Sequence, residues 1–122
     1  MMLELLPPEF TVCQLAADLE ADLSAPFTFF ARTDEELSLV CPLDACPASA
    51  LNRQDGWRCL RVKGPLDFSL IGILAELANC LAKAGVPIFA VSTYNTDYLL
   101  FRACHEKAAL AALAAAGHPV IA

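Results

Sequence analysis

The sequence predicts an α+β fold, and three observations carry that prediction. Trp57-Arg58-Cys59-Leu60-Arg61-Val62-Lys63 alternates apolar and polar residues with the period of two that belongs to a half-buried strand. Leu70, Leu74, Leu77 and Leu81 recur at helical spacing and, flanked by Ile71 and Ala78, form one apolar stripe. Pro87–Thr93 and Tyr98–Arg102 bracket the polar, turn-prone Tyr94-Asn95-Thr96-Asp97 and read as a hairpin. With an alanine-rich helix over His105–Ala116 and a short final strand in His118–Ile121, the order from Trp57 is β-α-β-β-α-β. That is the split βαβ, or ferredoxin-like, arrangement.

The elements follow in order. Leu3–Leu6, Phe10–Leu15, Pro26–Arg32 and Leu37–Cys41 read as strands. Ala16–Leu23 has room for a single helical turn. Asp44–Asn52 is a candidate short helix, limited by Pro47, which lacks the amide donor a helix interior needs. These pieces suggest a shortened copy of the later pattern, so the chain divides into a reduced module over 1–56 and a complete one over 57–122. Gly64-Pro65 stops the strand that begins at Trp57. The striped helix runs from about Asp67 to Ala84, with Asp67 or Ser69 as N-cap. Gly85 falls where a left-handed residue ends a helix, and Pro87 lies just beyond. Gly117 closes the alanine-rich helix, and Pro119 marks the final strand as an edge. Unpaired edges are usually covered, so a homodimer formed through Val120–Ile121 or Trp57–Lys63 is expected.

Composition narrows the functional classes. The chain has 122 residues, 57% hydrophobic and 18% charged, which is ample for a packed core and too apolar for disorder. No apolar run approaches the ~20 residues of a membrane helix. Met1–Phe10 carries Glu4 and Glu9 without a basic residue, unlike a secretory leader. A soluble, cytoplasmic protein is expected. The net charge is −6, with ten acidic and two basic residues before Trp57 and four acidic and six basic from Trp57 onward. An acidic chain without a basic stripe is a poor nucleic-acid ligand. Cys13, Cys41, Cys46, Cys59, Cys80 and Cys104 include no C-x-x-C pair, and most sit in apolar runs. Buried free thiols are expected in preference to a zinc site or disulfides.

Catalytic signals are thin. His105 and His118 stand far in sequence from any candidate nucleophile, and nucleophile-elbow, P-loop and dinucleotide motifs do not occur. Asp18, Glu20, Asp22, Asp34, Glu35 and Glu36 read as solvated faces and turns. No catalytic residue, metal ligand or cofactor site is assigned.

Two segments resemble the ACT domain family. Gly64-Pro-Leu-Asp-Phe-Ser-Leu-Ile-Gly72-Ile-Leu-Ala-Glu-Leu is similar to the first strand-to-helix corner of ACT domains. Pro87-Ile-Phe-Ala-Val-Ser-Thr-Tyr-Asn-Thr-Asp-Tyr-Leu-Leu100 resembles the second and third strands of a tandem ACT-like subfamily. That subfamily includes small bacterial proteins, aspartokinase regulatory regions and the eukaryotic arginine sensors. The resemblance implies a regulatory protein that binds an amino acid such as arginine or lysine. It implies allosteric action on a separate enzyme or regulator, without chemistry of its own. A non-sensing dimerisation module is the alternative.

The resemblance also implies a site formed by Asp67, Ser69, Leu70, Ile71 and Gly72 at the helix start, with Ser92, Thr93, Tyr94, Asn95, Thr96 and Asp97 at the hairpin. Residue chemistry fits that role and leaves a plainer one open at each position. A helix start offers free N–H groups and a positive dipole end to an α-carboxylate. Gly72 admits close approach of a ligand, or serves helix–sheet packing. Asp97 can hold an ammonium or guanidinium group, or satisfy backbone N–H groups in its turn. The aspartate matching it in the arginine sensors lies in their effector pocket. Asp67 is an N-cap or a ligand contact, and Thr93, Asn95 and Thr96 supply short polar groups or turn chemistry. Tyr94 and Phe68 could wall a pocket; for Phe68, core packing is the alternative.

Overall fold

The computed structural model describes residues 2–19, 22–63 and 72–122. The chain divides into two compact units: Met1–Pro7 with Arg58–Ala122, and Pro8–Trp57.

In the larger unit, β1 (Leu3–Leu5) pairs antiparallel with the end of β5 (Asn52–Val62), Leu3 opposite Val62 and Leu5 opposite Leu60. It also pairs in parallel with β8 (Val120–Ile121). β6 (Ile88–Ser92) and β7 (Asp97–Arg102) form the expected hairpin, Ser92 opposite Asp97, and β7 pairs with β5. The strand order is β6-β7-β5-β1-β8. This is a ferredoxin-like sheet with β1 inserted between β5 and the terminal β8. The expectation of a free edge at Trp57–Lys63 is therefore corrected. β5 has a neighbour on each side in this unit, because β1, assigned by sequence to the first module, pairs with it.

The helices α1 (Ile73–Lys83) and α2 (Glu106–Ala115) bury Leu77, Leu81, Ala109 and Leu113. These join Leu3, Leu60, Val62, Leu99 and Phe101 in one core. Each fully buried leucine contributes about 1.5–3 kcal/mol, so the stripe that predicted α1 also anchors it. Gly85 and Gly117 take the left-handed conformation at φ 76° and 88°. The amides after them, Val86 and His118, donate to Leu81 and Leu113 carbonyls at 2.9 and 2.8 Å, closing both helices.

The helix start differs from expectation. α1 begins at Ile73, and its N-cap is Gly72 at φ 82°, with no side-chain cap bond. The left-handed backbone ends the helix there, although the leucine spacing continues back to Leu70. A Cβ at Gly72 meets nothing within 4 Å. The backbone angle, and not close packing, is what asks for glycine among the described residues.

The smaller unit is an antiparallel sheet of β3 (Phe29–Arg32), β4 (Leu37–Pro42), β2 (Phe10–Leu15) and the start of β5, in that order. Gly56, at φ 86°, bulges from β5, since Thr11 lies opposite Asp55 and Phe10 opposite Trp57. Cys13, Leu15, Leu37, Leu39 and Cys41 line one buried face. No α-helix occurs among the described residues of this unit. Of the turn expected in Ala16–Leu23, residues 20 and 21 lie outside the described residues; in the described part Leu19 N–H donates to the Ala16 carbonyl at 2.9 Å. The helix expected over Asp44–Asn52 shrinks to a 3-10 turn, Leu43–Ala45, because Pro47 interrupts it and Asn52 already belongs to β5. The strand expected from Pro26 starts at Phe29, since Phe27 has φ 62°.

Candidate functional site

The β6–β7 turn is built from hydroxyls. The Thr93 amide donates to the Thr96 carbonyl at 2.8 Å, and the Thr93 hydroxyl donates to the same oxygen at 3.0 Å. In return the Thr96 amide donates to Thr93 Oγ1 at 3.4 Å. Thr96 is 6% exposed, and its own hydroxyl donates to the Val62 carbonyl at 2.6 Å. That bond ties the turn to the last residue of β5. Ser92 Oγ donates to Asp97 Oδ1 at 2.6 Å, a charge-assisted length. Asp97 is half-buried, and Tyr94 and Asn95 point outward, Tyr94 at 87% exposure.

The described residues of the expected site are not gathered in one place. Ser92, Thr93, Tyr94, Asn95, Thr96 and Asp97 share one turn. Asp67, Ser69, Leu70 and Ile71 lie outside the described residues. Gly72 lines a different feature, an 820 Å³ groove between α1 and α2 that includes none of the turn residues. Ala75, Glu76, Asn79, Lys83, Ala112, Ala115 and His118 also line it. Sequence reasoning missed this groove, because alanines in a helix register first as good helix formers.

A charged cluster on the neighbouring strands was missed as well. Glu4 lies opposite Arg61 across the β1–β5 pair, and its Oε1 accepts from Arg61 at 2.7 and 3.1 Å. Lys63 Nζ is 4.0 Å from the same oxygen. The Arg61 hydrogen bond, helped by the charges of Arg61 and Lys63, holds the Glu4 carboxyl below its ordinary 4.5. Arg61 is raised in turn, first by Glu4 and then by a hydrogen bond with Tyr98, the residue after Asp97. The alternation of β5 placed Arg61 on a polar face, but only the register reveals Glu4 as its partner.

The three buried thiols, Cys13, Cys41 and Cys59, are chemically quiet. All six cysteines are free. Burial pushes Cys13 and Cys59 up to about 12, and Cys41 to about 11. A thiol that stays protonated at neutral pH is a poor nucleophile or metal ligand. Among the described residues no group of three histidine, cysteine, aspartate or glutamate side chains is arranged to hold a metal ion, and no helix is long and apolar enough to cross a membrane.

The family model described as the ACT domain matches residues 52–115 of this chain. Protein Atu0741 from Agobacterium tumefaciens is 32% identical, with a TM-score of 0.87 over 98% of this chain and 91% of that one. Aspartate kinase from Synechocystis shares the fold at a TM-score of 0.69 and 15% identity, over 98% of this chain and 27% of the kinase. The human cytosolic arginine sensor for mTORC1 subunit 1 is 42% identical over 45 residues, 36% of this chain and 14% of the sensor. Its Rattus norvegicus counterpart is 32% identical over 84 residues, 63% of this chain and 25% of the sensor. The chain spans a quarter or less of the length of these curated relatives.

Proposed function

Since this chain belongs to the ACT domain family, we propose that it is an amino-acid-binding regulatory protein rather than an enzyme. The effector is a cationic or zwitterionic amino acid, with arginine and lysine the first candidates. It bridges residues 69–72 and the turn 92–97. Its ammonium or guanidinium group is held by Asp97 and its α-carboxylate by backbone N–H groups near the start of α1. Similarity to the arginine sensor supports the choice of ligand. The observation that carries the reading is the Asp97 carboxylate. It is half-buried and oriented by Ser92 at 2.6 Å, in a turn that Thr96 pins to the end of β5.

On this reading residues 1–56 act as a reduced ACT-like module and 57–122 as the ACT domain. The protein works in the cytoplasm, as a homodimer, on a separate enzyme or regulator. Binding shifts the population between module arrangements, and the partner reads the arrangement.

Thermal melts with each amino acid test the proposal. Saturation at ~100 times the dissociation constant stabilises by about 2.7 kcal/mol, or about 10 °C at the ~4 °C per kcal/mol expected for this length. Asp97→Asn should leave the unliganded melt within about 2 °C, since surface turn changes rarely exceed ~0.5 kcal/mol. It should remove most of the ligand shift. If no amino acid moves the wild-type melt at millimolar concentration, sensing is refuted. If Asp97→Asn unfolds the free protein, the residue is a turn anchor. The second reading, a dimerisation module without an effector, is favoured by the exposed alanine face of α2.

A further inference from the structure

Three of the six cysteines gather on the buried face of the smaller sheet. Cys13 of β2 and Cys41 of β4 are 2% and 0% exposed, and Cys46 packs against their cluster with Ala45 and Ala50. Cys46 is half-buried, the most accessible of the three. After β4 ends at Pro42, the 3-10 turn Leu43–Ala45 returns the chain to that face.

Register decides which two can react with each other. Thr11 lies opposite Cys41 and Cys13 opposite Leu39, so Cys13 and Cys41 are diagonal neighbours. Diagonal positions stand ~7–8 Å apart, outside the ~4.4–6.8 Å between Cα atoms that a disulfide spans. Cys46 is not held by that register. Its thiol donates to the Pro47 carbonyl at 3.6 Å, and its side chain shares a hydrogen bond with Cys13. Arg53, directly opposite Cys13 on β5, brings a positive charge beside both thiols. A partly exposed thiol with a cation nearby and a second thiol in contact is the arrangement of a reactive pair.

We infer that Cys13 and Cys46 form a reversible thiol–disulfide pair, oxidised by low-molecular-weight disulfides of the glutathione class. This goes beyond the effector reading and does not depend on it. Cys46 reacts first, since burial screens Cys13 from outside reagents. Its thiolate attacks one sulfur of oxidised glutathione, the glutathione S–S bond breaks, and one reduced glutathione leaves. Cys13 then gives its proton to solvent, and its sulfur attacks that of Cys46 and expels the second glutathione. In balance, the two cysteines give up two hydrogens with their electrons, and oxidised glutathione leaves as two thiols. Burial keeps the Cys13 thiol protonated, but the second step is intramolecular, and proximity offsets the small thiolate fraction. The bridge ties the segment after β4 to β2.

The test is a non-reducing digest of the full chain, incubated folded with oxidised glutathione and then quenched with an alkylating agent. Trypsin cuts after Arg32 and Arg53, leaving Cys13 in peptide 1–32 and Cys41 and Cys46 in peptide 33–53. The two peptides should appear as one species, lighter than their sum by about 2 Da, and dithiothreitol should separate them. Fragment ions of that species should locate the bridge at Cys46 in the wild-type chain, whatever the folding of any variant. Cys41→Ala should keep the cross-link, and Cys46→Ser should lose it. Cys13→Ala should arrest the reaction at its first step and accumulate one glutathione on Cys46. A wild-type chain that yields no cross-link, or one that bridges to Cys41, overturns the proposal. So does a Cys13→Ala chain that takes up no glutathione on Cys46, since that thiol would then not be the point of attack. Because no amino acid is present, these outcomes are separate from success or failure of effector binding.

Discussion

Thr96→Val isolates the bond that holds the turn to β5. The substitution conserves volume and branching but removes the hydroxyl that donates to the Val62 carbonyl at 2.6 Å. At 6% exposure there is little room for water to replace it. Loss of a buried donor that leaves its acceptor unpaired costs about 1–3 kcal/mol. At ~4 °C per kcal/mol, the melting temperature should fall by roughly 4–12 °C. Ser92→Ala, which removes a bond at an exposed position, should lower it much less. Urea denaturation with an unchanged m-value would confirm that stability, and not the unfolded state, has changed. On the proposed reading the variant should also weaken effector binding, since the turn would no longer be fixed to the end of β5. A loss below ~0.5 kcal/mol would refute the reasoning, because a buried hydroxyl bond cannot be broken without replacement so cheaply.

Two further predictions concern pH. Cys59 is raised by burial from 9.0 to about 12, and Cys13 and Cys41 are raised as well. The folded thiols therefore keep their protons when the unfolded ones lose theirs. Their stabilising share is intact below pH ~9 and is lost as pH rises toward 12; for Cys59 alone the loss is on the order of 1 kcal/mol at pH 10. Urea midpoints should fall above pH 9, less steeply in Cys59→Ala, and a flat profile to pH 10.5 would contradict the burial. Glu4 has the opposite sign: its lowered carboxyl contributes above about 4.5 and ceases to as pH falls through its folded value. Glu4→Gln should flatten the acid side of the urea-midpoint profile, and an unchanged acid limb would show that the Arg61 contact contributes nothing.

The sequence made most of the larger unit legible because its signals are local. Alternation in Trp57–Lys63, the stripe at Leu74, Leu77 and Leu81, and the glycines at 85 and 117 each describe one element with its own stop. What escaped is non-local. Leu3–Leu5 reads as a strand by itself, but nothing in its residues says that it enters the sheet between β5 and β8. The start of α1 was obscured for another reason. Leu70 continues the stripe, and Asp67 and Ser69 offer capping chemistry, yet the backbone at Gly72 turns left-handed. In the smaller unit, Phe27 sets a limit that the apolar pattern around it did not announce.

In the motif Ser92–Asp97 the fold and the proposed site fall on one stretch. Its specificity as a sequence comes mostly from turn construction. Thr93 serves as donor and acceptor to Thr96, Thr96 anchors Val62, and Ser92 orients Asp97. A ligand that used the Thr93 or Thr96 hydroxyl would have to break a bond the fold already makes, at a cost of about 0.5–1.5 kcal/mol each. The Asp97 carboxylate is different: an ionised carboxylate accepts through two oxygens, so its bond from Ser92 leaves acceptor capacity for a cation. The hydroxyls are therefore scaffold, and on the proposed reading Asp97 is the turn residue left to recognise a charge. This division explains why Thr96→Val should damage the fold first and binding second, whereas Asp97→Asn should do the reverse.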